Sequence, residues 1–273
     1  MEAQVSKFKV YNTNLVSYHW ETKNSKAVVV LVHGMGEHAL RFEKSVIKYV
    51  LEDGFSVLAY DNFGHGKTKG KRGHCPSYKA LQDGVDEAIK KAQKLHSNLP
   101  VILYGHSMGG NLVINYALNN SNIKATVATS PLLRLAFNPP KWKIAFGRFM
   151  LNILPSITLP SELDASGISR DKNEVKRYQE DTLVHDKISP MYSFPIFDAG
   201  EFAIANAHKL RLPMLVCHGS GDKITSHKAS EEFSNNSNSI DFELFKEGYH
   251  ELHHDVCKAE FITTLLKWLN SKI

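Results

Sequence analysis

Val101-Ile102-Leu103-Tyr104-Gly105-His106-Ser107-Met108-Gly109-Gly110 runs from a continuous apolar stretch into a G-x-S-x-G pentapeptide. The apolar run suits a buried strand, and Gly110-Asn111-Leu112-Val113-Ile114 behind it suits a helix. A serine hydroxyl is a poor nucleophile. To attack a carbonyl it must stand clear of the backbone, beside a base and a pocket for the developing anion. A sharp strand-to-helix turn does this, because the flanking glycines let the chain crowd together and leave Ser107 at the apex. The competing reading makes Ser107 only the cap of the helix, a place serine favours on its own account. The pentapeptide does not decide between them, so a base, an acid and anion donors must be found elsewhere in the chain.

On either side of this turn, apolar runs alternate with amphipathic segments. Strands are expected at Leu15–Trp20 (half exposed), 27–32, 55–60, 101–104, 125–129, 214–217 and 240–245. Helices are expected at 42–51, 78–95, 108–118, 200–210, 228–233 and 256–269. Such alternation, with strands that are apolar throughout, predicts an α/β fold whose mainly parallel sheet carries helices on both faces. Residues 1–273 read as a single domain. The rhythm breaks over a proline-rich stretch, about 131–195, that opens on the apolar and basic segment Trp142-Lys143-Ile144-Ala145-Phe146-Gly147-Arg148-Phe149. An insertion of this kind between sheet elements predicts a cap or lid, and its apolar face predicts transient contact with a membrane surface.

Composition narrows the function classes. With 42% hydrophobic residues in 273, the chain can bury a large core. The longest aliphatic run, Ala27 to Val32, is too short to span a bilayer, and the first residues lack an apolar signal segment. Cys75, Cys217 and Cys257 are scattered and form no disulfide framework. A cytoplasmic location, peripheral at membranes, is expected. The net charge of +5 is modest, and the basic loop Lys67–Arg72 lacks the interleaved aromatics of a nucleic-acid surface. No nucleic-acid partner is expected, and the oligomeric state is not legible.

In a strand-alternating fold the acid should follow the next-to-last strand and the base the last. Asp222, in His218-Gly219-Ser220-Gly221-Asp222, and His250, in Glu247-Gly248-Tyr249-His250, occupy those places. His218 lies too near the acid strand, and His227 precedes the last strand; His253 and His254 stay open as alternative bases. The turn His33-Gly34-Met35-Gly36 supplies an anion pocket, with the Met35 and Met108 amides as donors.

Together, His33–His38, Asp61-Asn62-Phe63-Gly64-His65-Gly66, Gly105–Gly110, Gly219–Asp222 and Glu247–His250 resemble the monoacylglycerol lipase family of α/β-hydrolases. The resemblance covers nearly the whole chain in order and is loosest over 131–170. It implies an α/β-hydrolase fold with an eight-stranded sheet and a short cap. It further implies hydrolysis of a lipid ester, a monoacylglycerol first, with lysophospholipids or general carboxylic esters as the alternative, and no cofactor. Glu37, Arg41, Tyr178 and His253 are then implied near the glycerol-binding end.

A rival motif overlaps the base. His250-Glu251-Leu252-His253-His254 also reads H-E-x-x-H, which on a helix would set two histidines for zinc beside a water-activating glutamate, with Glu260 as a candidate third ligand. Its place after a strand and a glycine argues for a loop, and no metal is expected. A hydrolase fold kept as a non-catalytic binder is the remaining alternative.

Overall fold

A computed structural model describes residues 2–273. The chain forms β1 (Gln4–Val10), β2 (Thr13–Trp20), β3 (Val28–Val32), α1 (Lys48–Glu52), β4 (Ser56–Tyr60), α2 (Tyr78–Leu95), β5 (Val101–His106), α3 (Met108–Asn119) and β6 (Ala125–Thr129). It continues with α4 (Lys141–Ile153), β7 (Leu159–Pro160), α5 (Lys172–Glu180), β8 (Lys187–Ile188), α6 (Pro190–Asn206), β9 (Met214–Gly219), α7 (His227–Asn235), β10 (Ile240–Phe245) and α8 (Lys258–Asn270). Eight strands make one sheet in the order β1-β2-β4-β3-β5-β6-β9-β10. β1 and β2 pair antiparallel, as do β2 and β4, and the remaining pairs are parallel. This is the α/β-hydrolase fold.

The apolar strands are continuous because both faces are covered. Val28, Val30 and Val32 of β3 pack with Leu81, Val85 and Ile89 of α2 and Leu112 of α3. Val29 and Leu31, pointing the other way, pack with Phe42, Ile47, Phe261 and Leu265. Each fully buried side chain of this size contributes about 1.5–3 kcal/mol relative to exposure.

Two expectations needed correction. β2 is buried over Leu15–Trp20, not half exposed, because its polar Ser17 and His19 are covered and β1 pairs along its whole length. The helix expected from residue 200 begins at Pro190, inside the stretch assigned to the cap. Ser189 caps it through Tyr192 N–H, and a proline at the first helical position costs no hydrogen bond. Pro195 within it leaves the Met191 carbonyl without a helical donor, and Cys75 Sγ stands 3.8 Å from that oxygen.

Between β6 and α6 lies the irregular segment holding α4, α5 and the β7–β8 ladder. No residue of α4 is buried, and Trp142, Phe146, Phe149 and Ile153 are each more than half exposed. The carboxyl ends of β3, β5, β6, β9 and β10 all point towards this segment's side of the sheet, where ligands of open α/β sheets bind. A cavity of about 760 Å³ lined by His19, Glu21, Lys23 and His96 sits at the opposite strand ends, far from Ser107.

Candidate active site

Ser107 follows β5 directly and has φ 55° and ψ −114°, a conformation that costs a non-glycine residue about 1–3 kcal/mol. Neighbouring structure holds it there. Its N–H donates to Thr129 O at 2.9 Å, and its carbonyl accepts from Asn111 N–H at 3.0 Å and Leu132 N–H at 2.9 Å. Glycines are required at the approach: a Cβ at Gly105 would overlap the Gly109 carbonyl, and one at Gly109 would overlap the Val32 carbonyl. Although Ser107 precedes α3, its side chain makes no capping bond. The hydroxyl has no hydrogen-bond partner among the described residues, so the capping reading does not account for it.

The loops after β9 and β10 lie against each other. Ser220 N–H donates to Phe245 O and Gly221 N–H to Gly248 O, both at 2.9 Å, and a Cβ at Gly219 would overlap the Gly248 carbonyl. That close approach sets His250 Nδ1 2.7 Å from Asp222 Oδ2. Asp222 Oδ1 accepts from the N–H groups of Ile224 (2.7 Å) and Thr225 (3.0 Å), while Oδ2 also accepts from Thr225 Oγ1 at 2.8 Å. Burial opposes ionisation of Asp222, but the His250 charge and the hydrogen bonds from His218 and His250 hold its carboxyl well below the usual range. Burial likewise opposes protonation of His250, yet the Asp222 carboxylate overrides it, and the imidazole is held above its ordinary value. The His250 ring lies 4.8 Å from that of His106, the neighbour of Ser107. His250 is therefore on the Ser107 side of the sheet, with Nδ1 committed to the acid.

The turn after β3 is built by residues to which sequence reasoning gave no role. His33 Nδ1 is 2.7 Å from Gly34 O, so it carries the hydrogen, and Nε2 accepts Asn62 N–H at 2.9 Å. His65 repeats the arrangement, with Nδ1 on Phe63 O at 2.8 Å and Nε2 accepting Gly36 N–H at 3.0 Å. Burial depresses both imidazoles, His33 to about 4, and keeps them neutral, as an accepting Nε2 requires. Asp61 ties the same region together through Tyr18 Oη, Ala39 N–H and Lys67 N–H. Gly34 N–H is taken by Glu37 Oε1 at 2.6 Å. The Met35 and Met108 amides make no hydrogen bond among the described residues. Met108 is the first residue of α3, where amides have no helical acceptor.

Glu37, Arg41 and Tyr178 come together beside this turn. Arg41 Nη2 pairs with Glu251 Oε2 at 2.6 Å, its Nε lies 3.4 Å from Glu37 Oε2, and its guanidinium covers the Tyr178 ring at 4.7 Å. A Cβ built on Gly34 would sit 2.7 Å from Glu37 Oε1 and 3.1 Å from Ser107 Cβ, so the Glu37 carboxyl and Ser107 flank the same point. Burial and the neighbouring Glu251 charge push the Glu37 carboxyl up to about 8. Glu251, backed by Arg41 and by His254 Nδ1 at 2.7 Å, is held well below the ordinary value despite its burial.

His253 is the correction. It is 0% exposed and stacks on Phe42 with ring centroids 4.6 Å apart, so it packs beneath the site and offers no surface to a substrate. Burial first, then the nearby His254, depresses its imidazole well below normal. The zinc reading fails on geometry. Residues 250–254 form turns, not a helix, and His250 Nδ1 is committed to Asp222. Glu251, His253 and His254 do bring ligand atoms within 4.8 Å of one another, but the Arg41 guanidinium already neutralises Glu251 there and would repel a divalent ion.

A family profile described as serine aminopeptidase, S33 (Hydrolase_4) matches residues 23–256. An abhydrolase domain-containing protein of Dictyostelium discoideum is 34% identical over 90% of this chain, which spans only 26% of that protein's length. The monoglyceride lipase of Rattus norvegicus is 28% identical, covering 93% of this chain and 84% of the lipase. The crystal structure of a monoacylglycerol lipase from Paleococcus ferrophilus superposes with a TM-score of 0.88 at 35% identity, over 95% of this chain and 99% of that one. The strained serine turn, the acid–imidazole pair and these matches lead to one assignment: the chain belongs to the Hydrolase_4 (serine aminopeptidase, S33) family of α/β-hydrolases.

Proposed function

We propose that the protein is a serine esterase that cleaves monoacylglycerols to glycerol and free fatty acid. His250 Nε2 takes the Ser107 proton as Oγ attacks the ester carbonyl. Asp222 fixes the Nδ1–H tautomer and stabilises the imidazolium. The Met35 and Met108 amides receive the oxyanion. His250 then protonates the glycerol oxygen as the C–O bond breaks, leaving an acyl-enzyme on Ser107. Water, deprotonated by His250, attacks this ester, and the fatty acid leaves. The observation that carries the reading is the 2.7 Å Asp222–His250 contact on the side of the sheet where Ser107 is held strained, with its hydroxyl unbonded.

The substrate class rests on the related lipases and on the polar corner formed by Glu37, Arg41 and Tyr178, which suits a diol head. We assign residues 131–195 to a cap on a single domain, with α6 helping to seat it. The exposed Trp142, Phe146 and Phe149 of α4 suit contact with a lipid surface. Among the described residues no helix is long and apolar enough to cross a membrane. The free cysteines fit a reducing compartment, the cytoplasm. A panel of monoacylglycerols, lysophospholipids and short soluble esters, compared by kcat/KM, tests the assignment. Monoacylglycerols should lead, and a lysophospholipid preferred over every monoacylglycerol would overturn it.

A further inference from the structure

The Asp222 carboxylate is approached by two imidazoles. His250 Nδ1 lies 2.7 Å from Oδ2, and His218 Nε2 lies 3.1 Å from the same oxygen. The surroundings of His218 define its proton. Nε2 faces only Asp222 Oδ2, the Thr225 carbonyl (3.2 Å) and the Thr225 hydroxyl (3.3 Å), whose own acceptors are Asp222 Oδ2 (2.8 Å) and the Ser130 carbonyl (3.1 Å). Nε2 therefore carries the hydrogen and donates. Nδ1, 2.8 Å from Ser230 Oγ on α7, accepts that hydroxyl. The ring is 0% exposed, so it reaches no substrate.

We infer that His218 is a positioning residue that works through Asp222, and this rests on the serine-esterase reading. Oδ1 is fixed by two backbone amides, and Oδ2 takes His218 Nε2 and Thr225 Oγ1 besides His250, with Thr225 Oγ1 itself 3.2 Å from His250 Nδ1. His218 thereby keeps Oδ2 turned to His250 Nδ1 and disperses part of its negative charge. Ser230 orients His218, which extends the apparatus from β9 into α7.

The test compares His218→Leu, His218→Gln and Ser230→Ala on a short soluble ester, with kcat, KM, the pH profile of kcat/KM and fluorophosphonate labelling of each variant. Leucine fills the ring's space and donates nothing, whereas glutamine restores an N–H. His218→Leu should lower kcat about tenfold with KM unchanged. It should also move the acid limb about half a pH unit upward, since a carboxylate with one donor fewer holds the His250 proton more tightly. Glutamine should recover most of both effects. Ser230→Ala should shift the limb the same way by less, and it serves if the His218 variants do not fold. A His218→Leu enzyme with wild-type kcat and an unmoved acid limb would overturn the inference, as would a glutamine variant no better than leucine at equal thermal stability. Wild type that takes up no fluorophosphonate would instead sink the esterase reading itself.

Discussion

Asp222 Oδ2 and His250 Nδ1 stand 2.7 Å apart on loops that follow adjacent parallel strands, with side chains 0% and 7% exposed. Buried charge-assisted contacts of this length are strong and geometrically demanding. Asp222→Asn should therefore leave the fold intact while reversing the donor pattern seen by His250. A loss of about 10⁴ in kcat is expected, with KM little changed, read by steady-state kinetics on one monoacylglycerol. Retention of more than a tenth of the activity would remove Asp222 from the mechanism.

The base must be neutral to work. Because Asp222 raises the His250 imidazole above its ordinary value, the acid limb of kcat/KM should have its midpoint above about 6.5, later than an unperturbed histidine gives. The sign for stability runs with it. The stability contributed by a raised folded value is fully present below the unfolded imidazole value and is lost as pH rises through the folded one. A pH–rate profile on a soluble ester checks this; a limb centred below 6 would contradict it.

Arg41 serves two carboxylates that cannot both ionise freely. Burial and the neighbouring Glu251 charge favour the protonated Glu37 carboxyl, so Glu37→Gln should change stability by less than about 1 kcal/mol. Glu251→Gln should cost more, but Glu37, relieved of its neighbour's charge, can then ionise against Arg41. The double variant leaves a buried guanidinium without an anion, and a loss of about 3–5 kcal/mol, greater than the sum of the singles, is expected in urea denaturation. Additive losses would show that the carboxylates do not substitute for each other.

His33 reaches the turn proposed to receive the oxyanion through hydrogen bonds to backbone atoms alone. His33→Leu orphans Asn62 N–H and releases the Gly34 carbonyl, so the Met35 amide should lose its aim. A fall in kcat of about 10–10²-fold with KM within about twofold is expected, smaller than loss of a donor itself. Equal loss in kcat/KM through KM alone would place His33 in binding instead.

Exposed aromatics on α4 separate interfacial from chemical steps. Trp142→Ser combined with Phe149→Ser should leave turnover of a short soluble ester unchanged and lower turnover of monoacylglycerol presented in vesicles severalfold. Equal activity on vesicles would remove the proposed surface contact.

Most of the sheet was legible because residues such as Val28–Val32 are apolar on both faces, and α2 was legible to its ends, where the structure adds Ser77 as its cap. The start of α6 was not, since Pro190 and Pro195 read as breakers when the Ser189 cap and the buried Tyr192 and Ile196 cannot be seen. In the site, strand order alone pointed to Asp222 and His250. The role of His253 was misplaced because a sequence does not distinguish an imidazole at a pocket wall from one stacked under Phe42. What His33, His65 and Glu251 bind was not legible for a related reason. Their partners, Asn62, Gly36 and Arg41, lie 29, 29 and 210 residues away, and backbone amides leave no mark in sequence.

Fluorophosphonate treatment followed by peptide mass mapping tests the central claim most directly. One adduct is predicted, on Ser107, absent in Ser107→Ala and formed far more slowly in His250→Ala. An unmodified Ser107 in folded protein, or an adduct that forms as fast without His250 as with it, would contradict the account.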